Sequence, residues 1–186
     1  MAGAPYMTSS AALRTGAGLV TCVVPEEIMS VMMEKLTGAM CSTTLPEKSD
    51  SIAIGCGMGN TEKTFETVKN ILETYSGNLI IDADALNSIS KKTDILKNTD
   101  ARVIITPHIG EMAKLTGLSP EYITENRVCV AEEFSKEYNV ITVLKGAYTV
   151  IAAKKSETYI NPIGCPCLAK GGSGDVLAGI IASFAS

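Results

Sequence analysis

The chain has 186 residues, 46% of them hydrophobic and 19% charged, enough for one globular domain with a real core. Sixteen basic and twenty acidic residues give a net charge of −4, and the lysines and arginines are scattered, which argues against duplex nucleic acid as a partner. No apolar run approaches the ~18 residues of a membrane span, and the start lacks a basic segment leading into a long apolar one, so no membrane is expected and the cytoplasm is the expected compartment.

In chain order, AALRTGAG is helix-like and GLVTCVV (18 to 24) reads as a strand. After a second helix, LTGAMCSTTLPEKSD (36 to 50) reads as a loop-rich insert. SIAIG (51 to 55) is the next strand and runs into the glycine-rich turn GCGMGN. Phe65, Val68, Ile71, Leu72 and Tyr75 then mark one helical stripe, with the spacing of a face turned to a core. NLIID (78 to 82) leads into Asp82-Ala83-Asp84-Ala85-Leu86-Asn87, and RVIITP (102 to 107) into His108, Gly110 and Glu111. Ile123, Val130, Phe134 and Tyr138 form a second stripe before VITVLKG (140 to 146). YTVIAA (148 to 153) and ETYIN can pair as an antiparallel hairpin at the edge of the same sheet. The strands are continuous apolar runs, and they alternate with helices. That pattern predicts an α/β fold, a mostly parallel sheet with helices on both faces, in one domain over 1–186.

Ligands of such sheets bind beyond the carboxyl ends of the strands, so the residues following each apolar run are the candidates. GCGMGN lets a ligand approach the backbone, or is simply a tight turn; it matches neither GxGxxG nor GxxxxGK[ST]. His108 reads either as a ligand contact or as a structural residue, Glu111 as a helix-start carboxylate, and Asp82 and Asp84 as helix caps and loop anchors, with a direct catalytic role for either as the alternative. The six cysteines are expected to be free and reduced. Cys165-Pro166-Cys167 could be half of a thiolate metal site, but there is no second close pair and His108 is the sole histidine.

The most telling stretch is Gly171-Gly172-Ser173-Gly174-Asp175, followed by the apolar helix Val176 to Phe184. Glycines at a helix start can present a row of amides to a phosphate group. Asp175, beside that anion, is placed to take a proton from a hydroxyl and make it a nucleophile toward phosphorus. The plainer reading is a turn followed by an N-terminal helix carboxylate.

GGSGD with its apolar helix resembles the anion-hole motif of the ribokinase-like superfamily. Together with AALRTGAGLVT, GCGMGN, DADALN, TPHIGEMAKLTG, VLKGAYTVI and NPIGCPCLAKGGSGDVLAGIIA, it looks like the NAD(P)H-hydrate dehydratase family, the carbohydrate-kinase-like YjeF C-terminal domain. The resemblance implies repair of NADHX and NADPHX, the hydrated nicotinamide cofactors, driven by ADP (giving AMP and phosphate) or by ATP. It implies Asp175 as catalytic base, with Gly172, Ser173 and Gly174 as the anion hole. Lys145, Gly146, Ala147, Tyr148 and Thr149 would line the adenine nucleotide, and Ala4, Gly57, Gly59, His108 and Asp175 would contact the hydrated dinucleotide. Mg2+ accompanying the phosphates, a homo-oligomer (commonly a tetramer) and an NAD(P)HX epimerase, fused or separate, are also implied.

Family members often read NxTGNxGMA where this chain has Asn161-Pro162-Ile163-Gly164-Cys165-Pro166-Cys167-Leu168-Ala169; Ile163 and Cys165 remove a hydroxyl and an amide from the nucleotide side. The family pattern also leads to the expectation that the chain is incomplete at both ends. Two other classes use similar motifs: a small-molecule kinase acting on a vitamin precursor, and a non-catalytic nucleotide-binding module.

Overall fold

The computed structural model describes residues 2–186. Helix α1 (Gly3–Thr15), strand β1 (Thr21–Val23), helix α2 (Glu26–Lys35) and strand β2 (Met40–Ser42) come first. β1 and β2 pair in parallel, Cys22 opposite Cys41, as a two-stranded sheet of their own. Two expectations change here: GLVTCVV does not join the main sheet, and the stretch read as a loop supplies a strand. Met-Cys-Ser carries no strong strand signal. Its extended form comes from pairing with β1 and from a small core of Cys22, Val24, Met32 and Leu36.

The main sheet is made by β3 (Ser51–Ile54), β4 (Asn78–Ile81), β5 (Arg102–Ile105), β6 (Ile141–Leu144), β7 (Thr149–Ala152) and β8 (Tyr159–Asn161), adjacent in that order. β3 to β6 are parallel, while β7 and β8 add the antiparallel edge expected from the sequence. The parallel connections carry α3 (Glu62–Thr74), α4 (Ala83–Ile89), and then α5 (Ile109–Thr116), α6 (Pro120–Glu125) and α7 (Arg127–Tyr138). The strands advance in one direction, so right-handed crossovers put all of these helices on one face. There Phe65, Val68, Leu72, Leu86, Met112 and Phe134 pack on Leu79, Ile81, Val103, Ile105 and Leu144.

The other face is left for the last helix, α8 (Ser173–Ala185), whose Ala178 and Ala182 cover Ile80. Its far end is tied down by Ser51 Oγ donating to the Ala182 carbonyl at 2.7 Å and Asn78 Nδ2 donating to the Ala185 carbonyl at 2.5 Å. α1 lies directly against α8. A Cβ at Gly179 would run into the Thr8 carbonyl and lie 3.0 Å from Ala11 Cβ. Alanine ordinarily gains about 1 kcal/mol over glycine inside a helix. The carbonyl cannot yield as a side chain would, so Gly179→Ala is expected to destabilise, by about 1–3 kcal/mol of overpacking. A rise in the thermal midpoint would show that the two helices are less tightly seated.

The cysteine expectation is corrected at one pair. Cys165 and Cys167 are joined by a disulfide, while Cys22, Cys41, Cys56 and Cys129 are free. A 3-10 turn over Pro166–Leu168 holds the two Cα atoms 5.2 Å apart, within disulfide range.

Candidate functional site

The carboxyl ends of β3, β4, β5 and β6 converge with the first turn of α8. Gly55 follows β3 at φ +119°, and a Cβ there would run into the Asp82 carbonyl. Only glycine lets the two strand ends come this close. The following turn is pinned by its backbone: Gly59 N donates to Asp84 Oδ2 at 2.7 Å, and Thr64 Oγ1 donates to the Gly59 carbonyl at 2.6 Å. Asp84 is therefore the loop anchor that the sequence suggested.

Asp82 occupies the N-cap position of α4, but its side chain does not cap that helix. That expectation is corrected: the carboxylate, only 2% exposed, turns the other way to meet a cation. Oδ1 accepts from Thr106 Oγ1 at 2.7 Å and from Lys145 Nζ at 2.8 Å. Cys56 Sγ stands 3.9 Å from Oδ2. Lys145 is in turn held by its amide, which donates to the Pro107 carbonyl at 2.8 Å, and its Nζ lies 3.9 Å from Glu111 Oε2. One lysine thus sits between two buried carboxylates.

α8 begins above this pair. Gly172, at φ +91° beside the Met7 thioether, is its N-cap, and no side chain caps the helix. The first-turn amides and the positive end of the helix dipole are directed toward the strand ends. A Cβ on Gly174 would lie 3.5 Å from both Asp82 Oδ2 and Lys145 Nζ, so the bare glycine keeps space open between helix tip, lysine and aspartate. A small anion between them would meet amides on one side and an ammonium on the other.

Asp175 is half-buried at this tip. Burial holds its carboxyl above the usual range, the Asp82 and Asp84 charges add to that, and the Cys56 hydrogen bond and Lys145 partly offset it. The Cys56 thiol is pushed up to about 12, mainly by burial; it also bonds Thr8 and Asp175 and feels the Asp82 charge. It stays a thiol at neutral pH and serves as a donor between two carboxylates rather than as a nucleophile.

A raised carboxyl pKa means that the folded chain holds the Asp175 proton more tightly than the unfolded chain. Ionisation therefore costs stability as pH rises from the unfolded pKa through the folded one. Asp175→Asn is expected to raise the thermal midpoint at neutral pH and to lose that advantage below the ordinary carboxylate range. An equal shift at both pH values would contradict the assigned cause.

His108 and Glu111 form a capping box at the start of α5. Glu111 N donates to His108 Nδ1 at 3.2 Å, and His108 N donates to Glu111 Oε2 at 2.8 Å. Glu111 is thus the helix-start carboxylate, and His108 has a structural part. The imidazole is still 60% exposed on the rim of the site.

Ala4 is buried on α1, where its carbonyl accepts from Thr8 Oγ1, one turn further on, at 3.1 Å. The Gly146 to Thr149 turn runs outward, with Tyr148 59% exposed and Thr149 Oγ1 donating to the Gly146 carbonyl at 3.2 Å. Under this turn lies the Arg127 guanidinium, which donates to the Leu144 carbonyl at 3.3 Å. Its Nε is buried and without a partner among the described residues.

Thr106, Cys56 and Arg127 are structural members of this region that the sequence did not single out as such. Thr106 alone left a trace, a polar residue closing an apolar strand just before Pro107. Among the described residues no group of three or more His, Cys, Asp or Glu side chains could hold a metal ion.

A family model described as NAD(P)H-hydrate dehydratase matches residues 1–186. The bifunctional NAD(P)H-hydrate repair enzyme of Moorella thermoacetica is 37% identical over 100% of this chain and 38% of its own length. The ADP-dependent (S)-NAD(P)H-hydrate dehydratase of Neisseria meningitidis is 31% identical, with 99% of this chain and 65% of that protein covered. The crystal structure of the ADP/ATP-dependent NAD(P)H-hydrate dehydratase of Bacillus subtilis, co-crystallised with ATP and Mg2+, superposes with a TM-score of 0.89 at 32% identity over 99% of this chain and 68% of that one. The chain thus spans well under half of the Moorella protein that it matches.

Proposed function

The chain belongs to the NAD(P)H-hydrate dehydratase family, and from that premise we propose that it dehydrates (6S)-NAD(P)HX to NAD(P)H at the expense of ADP, or of ATP. One observation carries the reading: the uncapped tip of α8, with Asp175 in its first turn, stands over the Lys145 and Asp82 pair.

In this reading the terminal phosphate of the nucleotide lies on the amides of Gly172, Ser173 and Gly174. Lys145 faces that phosphate, and the turn from Gly146 to Thr149 lines the rest of the nucleotide. Asp175 takes the proton of the hydrate's ring hydroxyl, whose oxygen forms a bond to phosphorus as the bond to the departing nucleotide breaks. The phosphorylated hydrate then loses phosphate and a ring proton, restoring the double bond. The elements of water leave in the phosphate, so NADHX and ADP give NADH, AMP and phosphate. Its raised pKa suits Asp175 to this work, since a base is most effective when its pKa approaches the working pH.

Ala4, Gly57, Gly59 and His108 contact the hydrated dinucleotide in the same reading. The pinned GCGMGN turn and the exposed imidazole at the rim support that assignment.

Mg2+ fits the site as an ion brought by the phosphates. Asp82, Asp84, Glu111 and Asp175 outnumber Lys145 there, and a divalent cation offsets the repulsion between these carboxylates and a polyphosphate. When bound, it neutralises charge on the transferred group. No three protein side chains make a cage for it among the described residues, so phosphate oxygens and water would be its main ligands.

No helix among the described residues is long and apolar enough to cross a membrane, and we place the activity in the cytoplasm. A homotetramer and an epimerase that supplies the S-epimer complete the proposal.

The test is incubation of the chain with NADHX or NADPHX and either ADP or ATP, following recovery of absorbance at the reduced-nicotinamide band. Recovery with stoichiometric AMP or ADP is expected. Phosphate transfer to a vitamin alcohol without recovery would establish a small-molecule kinase, and nucleotide binding without any transfer would establish a binding module.

A further inference from the structure

A cavity of about 440 Å³ opens on the outer side of α4 and is lined by Asn60, Asn87, Ser90, Lys91 and Lys114. Two lysines face it and no carboxylate does, in a chain whose net charge is −4. Among the described residues neither lysine has an acidic partner. Lys114 Nζ donates to the neutral Asn87 Oδ1 at 2.6 Å, and Lys91 makes no ion pair. Neighbouring Lys92 differs, since its Nζ lies 4.3 Å over the Phe65 ring.

The remaining polar groups fix the lining. Asn87 Nδ2 donates to the Ala83 carbonyl at 3.0 Å and Ser90 Oγ to the Asn87 carbonyl at 2.8 Å, which leaves Lys91, Lys114 and the Asn60 amide as donors for a ligand. Unpaired cations gathered in a concavity attract an anion with several acceptor oxygens.

Location narrows the ligand. Asn60 directly follows Gly59 in the turn pinned by Asp84, and Lys114 lies on the helix capped by His108. From Asp82, α4 descends past Asn87 to Lys91, roughly 7–13 Å at helical rise. The cavity therefore lies beside the glycine-rich turn and the helix that His108 caps, on the face of the sheet away from α8.

We propose that this cavity is the subsite for a phosphate of the hydrated dinucleotide distant from its nicotinamide, with Lys91 and Lys114 as the binding cations. The proposal rests on the reading of NAD(P)HX as substrate. Its two sources of phosphate are the pyrophosphate, shared by both substrates, and the 2′-phosphate, present only in NADPHX.

The test uses the full chain, its Lys91→Ala/Lys114→Ala variant and a Lys91→Arg/Lys114→Arg variant, with two readouts: calorimetric binding of NADP+ and NAD+, and KM against kcat for NADPHX and NADHX. Loss of two charge-assisted contacts is expected to weaken binding and raise KM by about tenfold or more, with a much smaller change in kcat and recovery in the arginine variant. Weakening confined to NADP+ and NADPHX assigns the 2′-phosphate, and equal weakening for both pairs assigns the pyrophosphate. Unchanged Kd and KM in the alanine variant would overturn the subsite, as would failure of the unsubstituted chain to bind either dinucleotide. Lysine-dependent binding of NADP+ without any turnover by the unsubstituted chain would instead strike the dehydratase reading and leave an anionic dinucleotide subsite standing.

Discussion

Asp175→Asn is expected to lower turnover of NAD(P)HX by about 10²–10⁴-fold, the range in which a positioned general base contributes. Asparagine keeps the volume and leaves the α8 amides in place, so ADP or ATP should bind with little change. Burial raises the native carboxyl's pKa, and replacing it with an amide removes a charge that the fold tolerates at some cost. The variant should therefore be inactive yet no less stable at neutral pH. That combination distinguishes a base from a helix-start carboxylate, whose loss at the positive end of the dipole would reduce stability. Turnover within tenfold of the unsubstituted chain would remove Asp175 from its role.

Lys145→Met should have the largest effect on stability. Asp82 is 2% exposed and bonded to the lysine at 2.8 Å, so deleting the cation leaves a buried carboxylate with only Thr106 as a close donor. Breaking a buried pair from one side costs about 3–5 kcal/mol, and the partial exposure of Lys145 points to the lower end. At about 2–4 °C per kcal/mol for a chain of this size, the thermal midpoint should fall by roughly 6–12 °C. A second substitution, Asp82→Asn, should recover much of this, because the cost lies in the uncompensated charge and not in the lost contact. If the double variant were as unstable as the single one, packing around the lysine stem would be the cause. Turnover should remain lost in both, since no cation then faces the helix tip.

The parallel sheet was legible because strands buried on both faces leave continuous apolar runs, and SIAI, NLII, RVII and ITVL are such runs. The β7 and β8 edge was legible from a different cue, a short polar link between two strand-like segments, since β8 is largely exposed. Strand β2 was not. Met40 to Ser42 becomes a strand by pairing with β1, a partner nearly twenty residues away that local propensity does not record. The candidate site divides in the same way. Glycines before an apolar helix announce an open helix start, so Gly172 to Asp175 stood out. Asp82 after a strand reads equally well as a helix cap, and only its orientation shows it turned toward Lys145 instead.

By itself, the sequence determined the periodic and the local: the alternation of strands and helices, the glycine-rich strand ends, the helix start at GGSGD and the motifs that identify the family. These are carried by neighbouring residues, whose spacing is preserved whatever the rest of the chain does. The tertiary structure alone decided which distant groups meet. It set Asp82 against Lys145, Cys56 between two carboxylates, Arg127 beneath the Gly146 turn and two unpaired lysines around one cavity. Such pairings depend on chain crossings that bring separate strand ends together, and burial then turns ordinary side chains into strongly interacting ones.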